Sequence, residues 1–180
     1  MRFTCFPIEG LRLVEPDIHR DERGFFTRVF CAETFQREGL ETSFVQRSVS
    51  FNLKRGTLRG LHFQLAPHAE TKLVRCTSGA VFDVAVDLRE GSPTFGQSQA
   101  LLLSAENRAM FYIPAGFAHG FLTLADNAEL AYEITPAFVP GAAAGLAYDD
   151  PALDIAWPEA VEVISAKDQS WPRLAQLRLR

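Results

Sequence analysis

TKLVRCTSGAVFDVAVDL, residues 71–88, reads as two strands folded back on a turn. Its halves, TKLVRC (71–76) and AVFDVAVDL (80–88), are rich in Val, Leu and Phe, which suit a pleated, half-buried surface. Ser78-Gly79 supplies the turn between them. The pattern repeats outward in both directions. FVQRSVSF (44–51) precedes it, and QALLLS (99–104), AMFYIP (109–114), HGFLTLA (119–125) and ELAYEIT (129–135) follow. Gly91-Ser92-Pro93, Glu106-Asn107, Pro114-Ala115-Gly116 and Asp126-Asn127 punctuate these runs. RGTLRGLHFQ (55–64) has the apolar character of one more buried strand. Many short strands at this spacing predict an antiparallel, all-β sandwich or barrel. Helix is confined to ETFQREGL (33–40), stopped by Gly39, and to a short turn after Ser165, where SAKD places an acid three residues past a cap. PAFVPGAAAGL (136–146), with two Pro and two Gly, reads as a loop, and SWPRLAQLRLR (170–180) as an amphipathic tail packed on the barrel's exterior.

The chain has 180 residues, 47 % of them hydrophobic and 15 of them Phe, enough to bury a sizeable core in one domain spanning 1–180. A formal charge of −4 argues against a nucleic-acid or anionic-membrane binder, since both call for a basic face. The start, MRFTCFPIEGLRLVEPD, lacks the basic and apolar layout of a signal peptide, and no apolar run reaches membrane-span length. A soluble, cytoplasmic protein is expected. Cys5, Cys31 and Cys76 are far apart and form no CxxC, so each is expected to be a small apolar filler.

His62 stands out, an ionisable ring between Leu61 and Phe63 with Arg55 and Arg59 nearby. It can be a satisfied core histidine, a metal ligand or a catalytic base. Ile113-Pro114-Ala115-Gly116-Phe117-Ala118-His119 contains the P-x-G-x-x-H turn that supplies one ligand in metal-binding cupins. Those barrels also offer two histidines one residue apart and a carboxylate. Here the counterparts are His62, Gln64 and Glu70, and Gln is a poor transition-metal ligand. If His62 and His119 lie on opposed strands of a barrel, both can point into one cavity. Lys72, Arg59 and Tyr132 on neighbouring runs then suit an anionic or carbonyl-bearing ligand. Arg23, after Asp21-Glu22 and beside Gly24-Phe25-Phe26, suits phosphate plus a stacked base, or is a solvated arginine next to core aromatics.

Taken together, DERGFF, SFVQ, LRGLHFQ, KLVR-x-x-x-G-x-VFDVAVDLR, SPTFG, LSAEN, IPAGFAHGF, DDPAL-x-I-x-WP and SAKD resemble, in family order over nearly the whole chain, the dTDP-4-dehydrorhamnose 3,5-epimerases. These are cofactor-free cupin enzymes acting on 4-keto-6-deoxy sugar nucleotides. The resemblance implies a double-stranded β-helix, the cupin jelly roll, with a few short helices. It implies epimerisation at C3 and C5, with His62 as base, Asp168 as its carboxylate partner, Tyr132 as general acid and Lys72 near the carbonyl oxygen. Arg59, His119 and Gln46 fall on substrate-contacting positions. Arg23 and Phe26 match residues that reach the nucleotide of the neighbouring subunit in a homodimer. No metal or cofactor is implied. The chemistry agrees: protons on C3 and C5 are acidic because their loss gives a C4 enolate, and His has the near-neutral pKa a base needs.

The match departs from the family around the nucleotide. Arg28 stands where the family has a glutamate, Ser48 where it has an asparagine, and Phe138 where a tyrosine is common, and Gly141-Ala142-Ala143-Ala144 replaces a polar stretch. Arginine offers donors only, so it suits the acceptors of cytosine or guanine better than thymine's N3–H. The dTDP sugar is therefore weighed against CDP- and GDP-linked ones. C3-only epimerisation, keto-isomerisation on the same barrel, a metal-dependent cupin and a non-catalytic sugar-nucleotide receptor complete the alternatives.

Overall fold

The structure, a computed structural model, describes residues 1–179. Its strands run in the order β1 Arg2–Cys5, β2 Arg12–Glu15, β3 Ile18–Asp21, β4 Gly24–Thr27, β5 Gln46–Asn52, β6 Thr57–Gln64 and β7 Thr71–Ser78. They continue with β8 Ala80–Asp87, β9 Ser98–Ser104, β10 Met110–Ile113, β11 Phe117–Thr123, β12 Ala128–Thr135, β13 Ala143–Gly145 and β14 Val163–Ile164. Helix α1 is Ala32–Arg37 and α2 is Ala166–Gln169. Two sheets face each other as a jelly roll, one ordered β1-β2-β10-β7-β12-β5 and the other β13-β6-β11-β8-β9 with β14 beside β6. A separate hairpin pairs β3 with β4. Every strand pair is antiparallel except β14 with β6, as expected of an all-β roll.

Period-2 alternation builds the core. Val74, Cys76, Phe111, Ile113 and Leu130 of the first sheet meet Val81, Ala85, Phe117 and Phe121 of the second. The outer face of the second sheet carries Leu61, Phe63, Val84 and Val86, and Leu174, Leu177 and Leu179 of the tail cover it. The outer face of the first carries Val14, Leu73, Met110 and Tyr112 under Phe35 of α1. Where β6 crosses β11, Gly60 adopts φ +137°, and a Cβ there would lie 2.6 Å from the Cα of Gly120. This glycine-on-glycine approach, with a register shift after His119, lets the strands close at the site.

Three expectations are corrected. The 136–146 segment is not all loop, because Ala143–Gly145 forms β13 and pairs with β6. The four N-terminal strands were not expected. Of the cysteines only Cys76 is a core filler, since Cys5 is exposed and Cys31 half-buried. Among the described residues no helix is long and apolar enough to cross a membrane.

Candidate active site

One cavity of about 380 Å3 opens between the sheets. The second sheet contributes His62 and Arg59 from β6 and His119 from β11. The first contributes Lys72 from β7, Tyr132 from β12, and Ser48 and Ser50 from β5. Phe138 lies in the loop after β12, and α2 and its exit supply Lys167 and Trp171. His62 and His119 are direct cross-strand partners in one sheet, not on opposed strands. Lys72 and Tyr132 face them from the other sheet.

Each histidine has its own carboxylate. His62 Nε2 lies 2.6 Å from Asp168 Oδ1, so with the carboxylate ionised Nε2 carries the proton and Nδ1 the lone pair. Ser165 caps α2 by accepting the backbone N–H of Asp168 at 3.0 Å, which fixes the acid's place. Burial pulls the His62 imidazole below its usual range, against the pull of Asp168, and the positive fields of Lys72 and His119 lower it further. Burial pushes Asp168 up, but bonds from His62, Trp171 and the Gly60 N–H hold its carboxyl below the ordinary range. His119 Nε2 lies 2.9 and 3.0 Å from the two oxygens of Asp83, whose carboxyl burial raises. Tyr132, edge-on to His119, is driven well above 10 by burial and then by the charge of Asp83, so it keeps its proton at neutral pH. Lys72 Nζ pairs with Glu70 at 3.1 Å in a buried setting. Arg59 Nε donates to Asn52 Oδ1 at 2.7 Å. Ser50 Oγ is the one buried side-chain polar atom without a hydrogen-bond partner among the described residues, and it lies on the cavity wall.

Of the residues expected at the site, His62, Asp168, Tyr132, Lys72, Arg59, His119, Ser48 and Phe138 are brought together, Asp168 through its bond to His62. Gln46 is not among the lining residues, and its Oε1 accepts the N–H of Phe138. Arg23, Phe26 and Arg28 do not line this cavity. Arg23 pairs with Asp21 at the tip of the β3–β4 hairpin, and Arg28 borders a separate cleft with His19, Phe26 and Cys31. The donor set weighed for a metal does not assemble. Gln64 Nε2 donates to the carbonyl of His68 at 3.0 Å and its Oε1 accepts from Val139 N–H at 2.7 Å, while Glu70 is taken by Lys72. No group of three metal-ligating His, Cys, Asp or Glu side chains occurs among the described residues.

Sequence reasoning missed Asp83, Trp171, Ser50 and the role of Glu70. Asp83 had a signal: it shares the inward face of AVFDVAVDL with Val81 and Ala85, and a carboxylate there requires a buried partner. Trp171 had a local signal, since it stands three residues after Asp168 and its N–H reaches that carboxylate, while its seat against Gly145 is a tertiary contact.

Two facing sheets with a cavity between them that gathers two His–Asp pairs, a lysine and a tyrosine define a class by fold, the cupin jelly rolls. Residues 6–176 match the family model of dTDP-4-dehydrorhamnose 3,5-epimerase, and the chain belongs to that family. It is 45% identical over 178 residues to the dTDP-4-dehydrorhamnose 3,5-epimerase of Sinorhizobium fredii, covering 98% of this chain and 91% of the relative. The crystal structure of the Bacillus anthracis dTDP-4-dehydrorhamnose 3,5-epimerase, with TDP and PPi bound, superposes with a TM-score of 0.93 at 39% identity, covering 96% of this chain and 99% of that one. A Legionella pneumophila dTDP-6-deoxy-D-glucose-3,5-epimerase in complex with dTDP-4-keto-L-rhamnose gives 0.93 at 42% identity, covering 98% and 94%.

Proposed function

We propose that this chain inverts C3 and C5 of dTDP-4-keto-6-deoxyglucose. The observation that carries the reading is the 2.6 Å His62–Asp168 pair facing Lys72 and Tyr132 across one cavity. His62 Nδ1 removes the proton from C3 or C5, and the electron pair moves into the C4 carbonyl as an enolate. Asp168 steadies the imidazolium that forms. Lys72 stabilises the charge growing on the carbonyl oxygen. Tyr132, on the sheet opposite His62, returns a proton to the other face, and its phenolate is then reprotonated. The substrate itself is the electron sink. Arg59 and Lys167, on the cavity wall, are donors for the ligand's oxygens. The active species is a homodimer in which Arg23 and Phe26 of each hairpin reach the nucleotide held by the partner.

Arg28, beside Phe26 of the hairpin, motivates a second reading, the same reaction on a CDP- or GDP-linked sugar, because its guanidinium offers only donors; Ser48 and Phe138, the other departures, line the cavity. Incubation in D2O with the dTDP-, CDP- and GDP-4-keto-6-deoxyglucoses, followed by NMR at C3 and C5, tests both. Exchange at both carbons on the dTDP sugar alone is expected. Exchange at C3 alone, or a clear preference for another nucleotide, overturns the corresponding part. His62→Asn should abolish exchange, and near-wild-type exchange refutes the base assignment.

A further inference from the structure

The run Ala142-Ala143-Ala144-Gly145 has no part in the reaction above, yet it lies beside the base. In β13 Gly145 is the cross-strand partner of His62, and Ala143 and Ala144 line the cavity. A Cβ on Gly145 would fall 2.3–2.4 Å from Cε2, Cδ2 and Nε1 of the Trp171 indole. The ring therefore occupies the space a side chain would take. Its position is fixed from several sides. The carbonyl of Pro172 accepts the N–H of Ala147 at 2.9 Å, Leu174 N–H donates to Asp150 Oδ2 at 2.6 Å, and the Lys167 ammonium sits 5.2 Å from the indole centroid. Held this way, Trp171 Nε1 donates to Asp168 Oδ1 at 3.1 Å, the same oxygen that bonds His62. The other oxygen lies 3.4 Å from the Gly60 N–H.

We propose that Trp171 is a positioning residue for the base: its N–H shares Asp168 Oδ1 with His62 and fixes the carboxylate's plane, and Gly145 is the notch that admits the ring. The inference rests on the reading of His62 as base. An indole is a donor only, so its bond draws charge from the oxygen that would otherwise stabilise the imidazolium. The other charged groups around the cavity are Lys72, which Glu70 neutralises, His119 with Asp83, Arg59, and Lys167, whose ammonium rests over the indole. Of these only Lys167 touches the side chain at position 171, and an isostere that keeps the ring face keeps that contact.

The test replaces Trp171 with 3-benzothienylalanine, which keeps the ring's shape and deletes the N–H, alongside Trp171→Phe and Gly145→Ala. His62 is titrated by 15N NMR in the free enzyme, and kcat/KM is measured against pH. Removing the donor should raise the His62 midpoint and the acid limb of kcat/KM together by roughly half a unit, as expected when part of one charged hydrogen bond is redistributed. Loss of an outer-shell bond that orients an imidazole should lower kcat on the order of tenfold. Gly145→Ala, by expelling the ring, should reproduce the shift. An unchanged midpoint with the isostere, or a wild-type profile for Gly145→Ala, overturns the proposal. The NMR titration does not depend on turnover, so it stands apart from the His62→Asn result that decides the base itself.

Discussion

His62 and His119 show how far environment separates two residues of one type. Both bond an aspartate, but the His62 side chain is 44% exposed at the cavity and the His119 side chain 5%. Only the first can meet a substrate proton and then shed its own to water. Because burial holds His62 below its usual value, it stays neutral to lower pH than a free imidazole. The acid limb of kcat/KM should therefore fall below pH 6.5, as a pH series on the wild-type enzyme would show; a limb above that value contradicts the desolvated base. Tyr132, by contrast, is held protonated. Tyr132→Phe should slow product formation by about 10²–10⁴-fold, the usual worth of a positioned acid, while the first deuterium exchange falls far less. Equal losses in both would remove its role as acid. His62 and His119 were legible in the sequence because ionisable rings interrupt apolar runs. Trp171 was not, because its seat against Gly145 of β13 is set by tertiary packing that nothing in SWPRL encodes.

Among the elements, the pair β8 and the loop after it shows what much of the recognisable pattern is for. Asp87 ends β8 fully buried and accepts from Arg89 N–H, Nε and Nη2, from Ser92 Oγ and from Thr94 Oγ1. The SPTFG stretch thus folds a loop around one carboxylate and takes no part in the cavity. Burial works against the ionised form, but these five donors hold the Asp87 carboxyl far below its ordinary range. Asp87→Ala leaves Arg89 and two hydroxyls without their acceptor and should cost about 3 kcal/mol, since breaking a buried pair strands its partner. For a chain of this length that lowers Tm by roughly 6–12 °C in calorimetry. A depressed folded pKa gives stability that is present above the unfolded value, near 3.9, and lost as pH falls below it. The gap between wild type and variant should therefore narrow between about pH 5 and pH 3; a gap constant over that range disproves the linkage. The β-rich middle of the chain was readable because Val, Leu and Phe alternate there. β13 was hidden because Ala and Gly carry no strand preference, so its pairing with β6 comes from tertiary register alone. The N-terminal strands RFTC, RLVE, IHRD and GFFT are four residues each, too short for periodicity to show.

For the molecule as a whole, the first sheet ends at β5, whose outer edge pairs with no strand among the described residues. Along that edge Val45, Val49, Phe51 and Leu53 are 62%, 63%, 48% and 71% exposed, and Phe26 on the hairpin is 72% exposed. An apolar edge strand left open invites pairing or burial. This supports the proposed homodimer, in which the hairpin residues absent from their own cavity complete the partner's. Light scattering should give twice the chain mass, and Phe51→Glu with Val49→Glu should yield a monomer with raised KM. The shared site has a sharper test. His62→Asn, inactive alone, and Arg23→Ala, weak alone, are refolded together as mixed dimers. One of the two sites then holds a native His62 and receives a native Arg23 from its partner, while the other receives neither. Mixed dimers should regain about half of the wild-type activity per dimer, since complementation restores one site of two. If mixing restores nothing, each site is built within one chain, and Arg23 binds no partner's nucleotide.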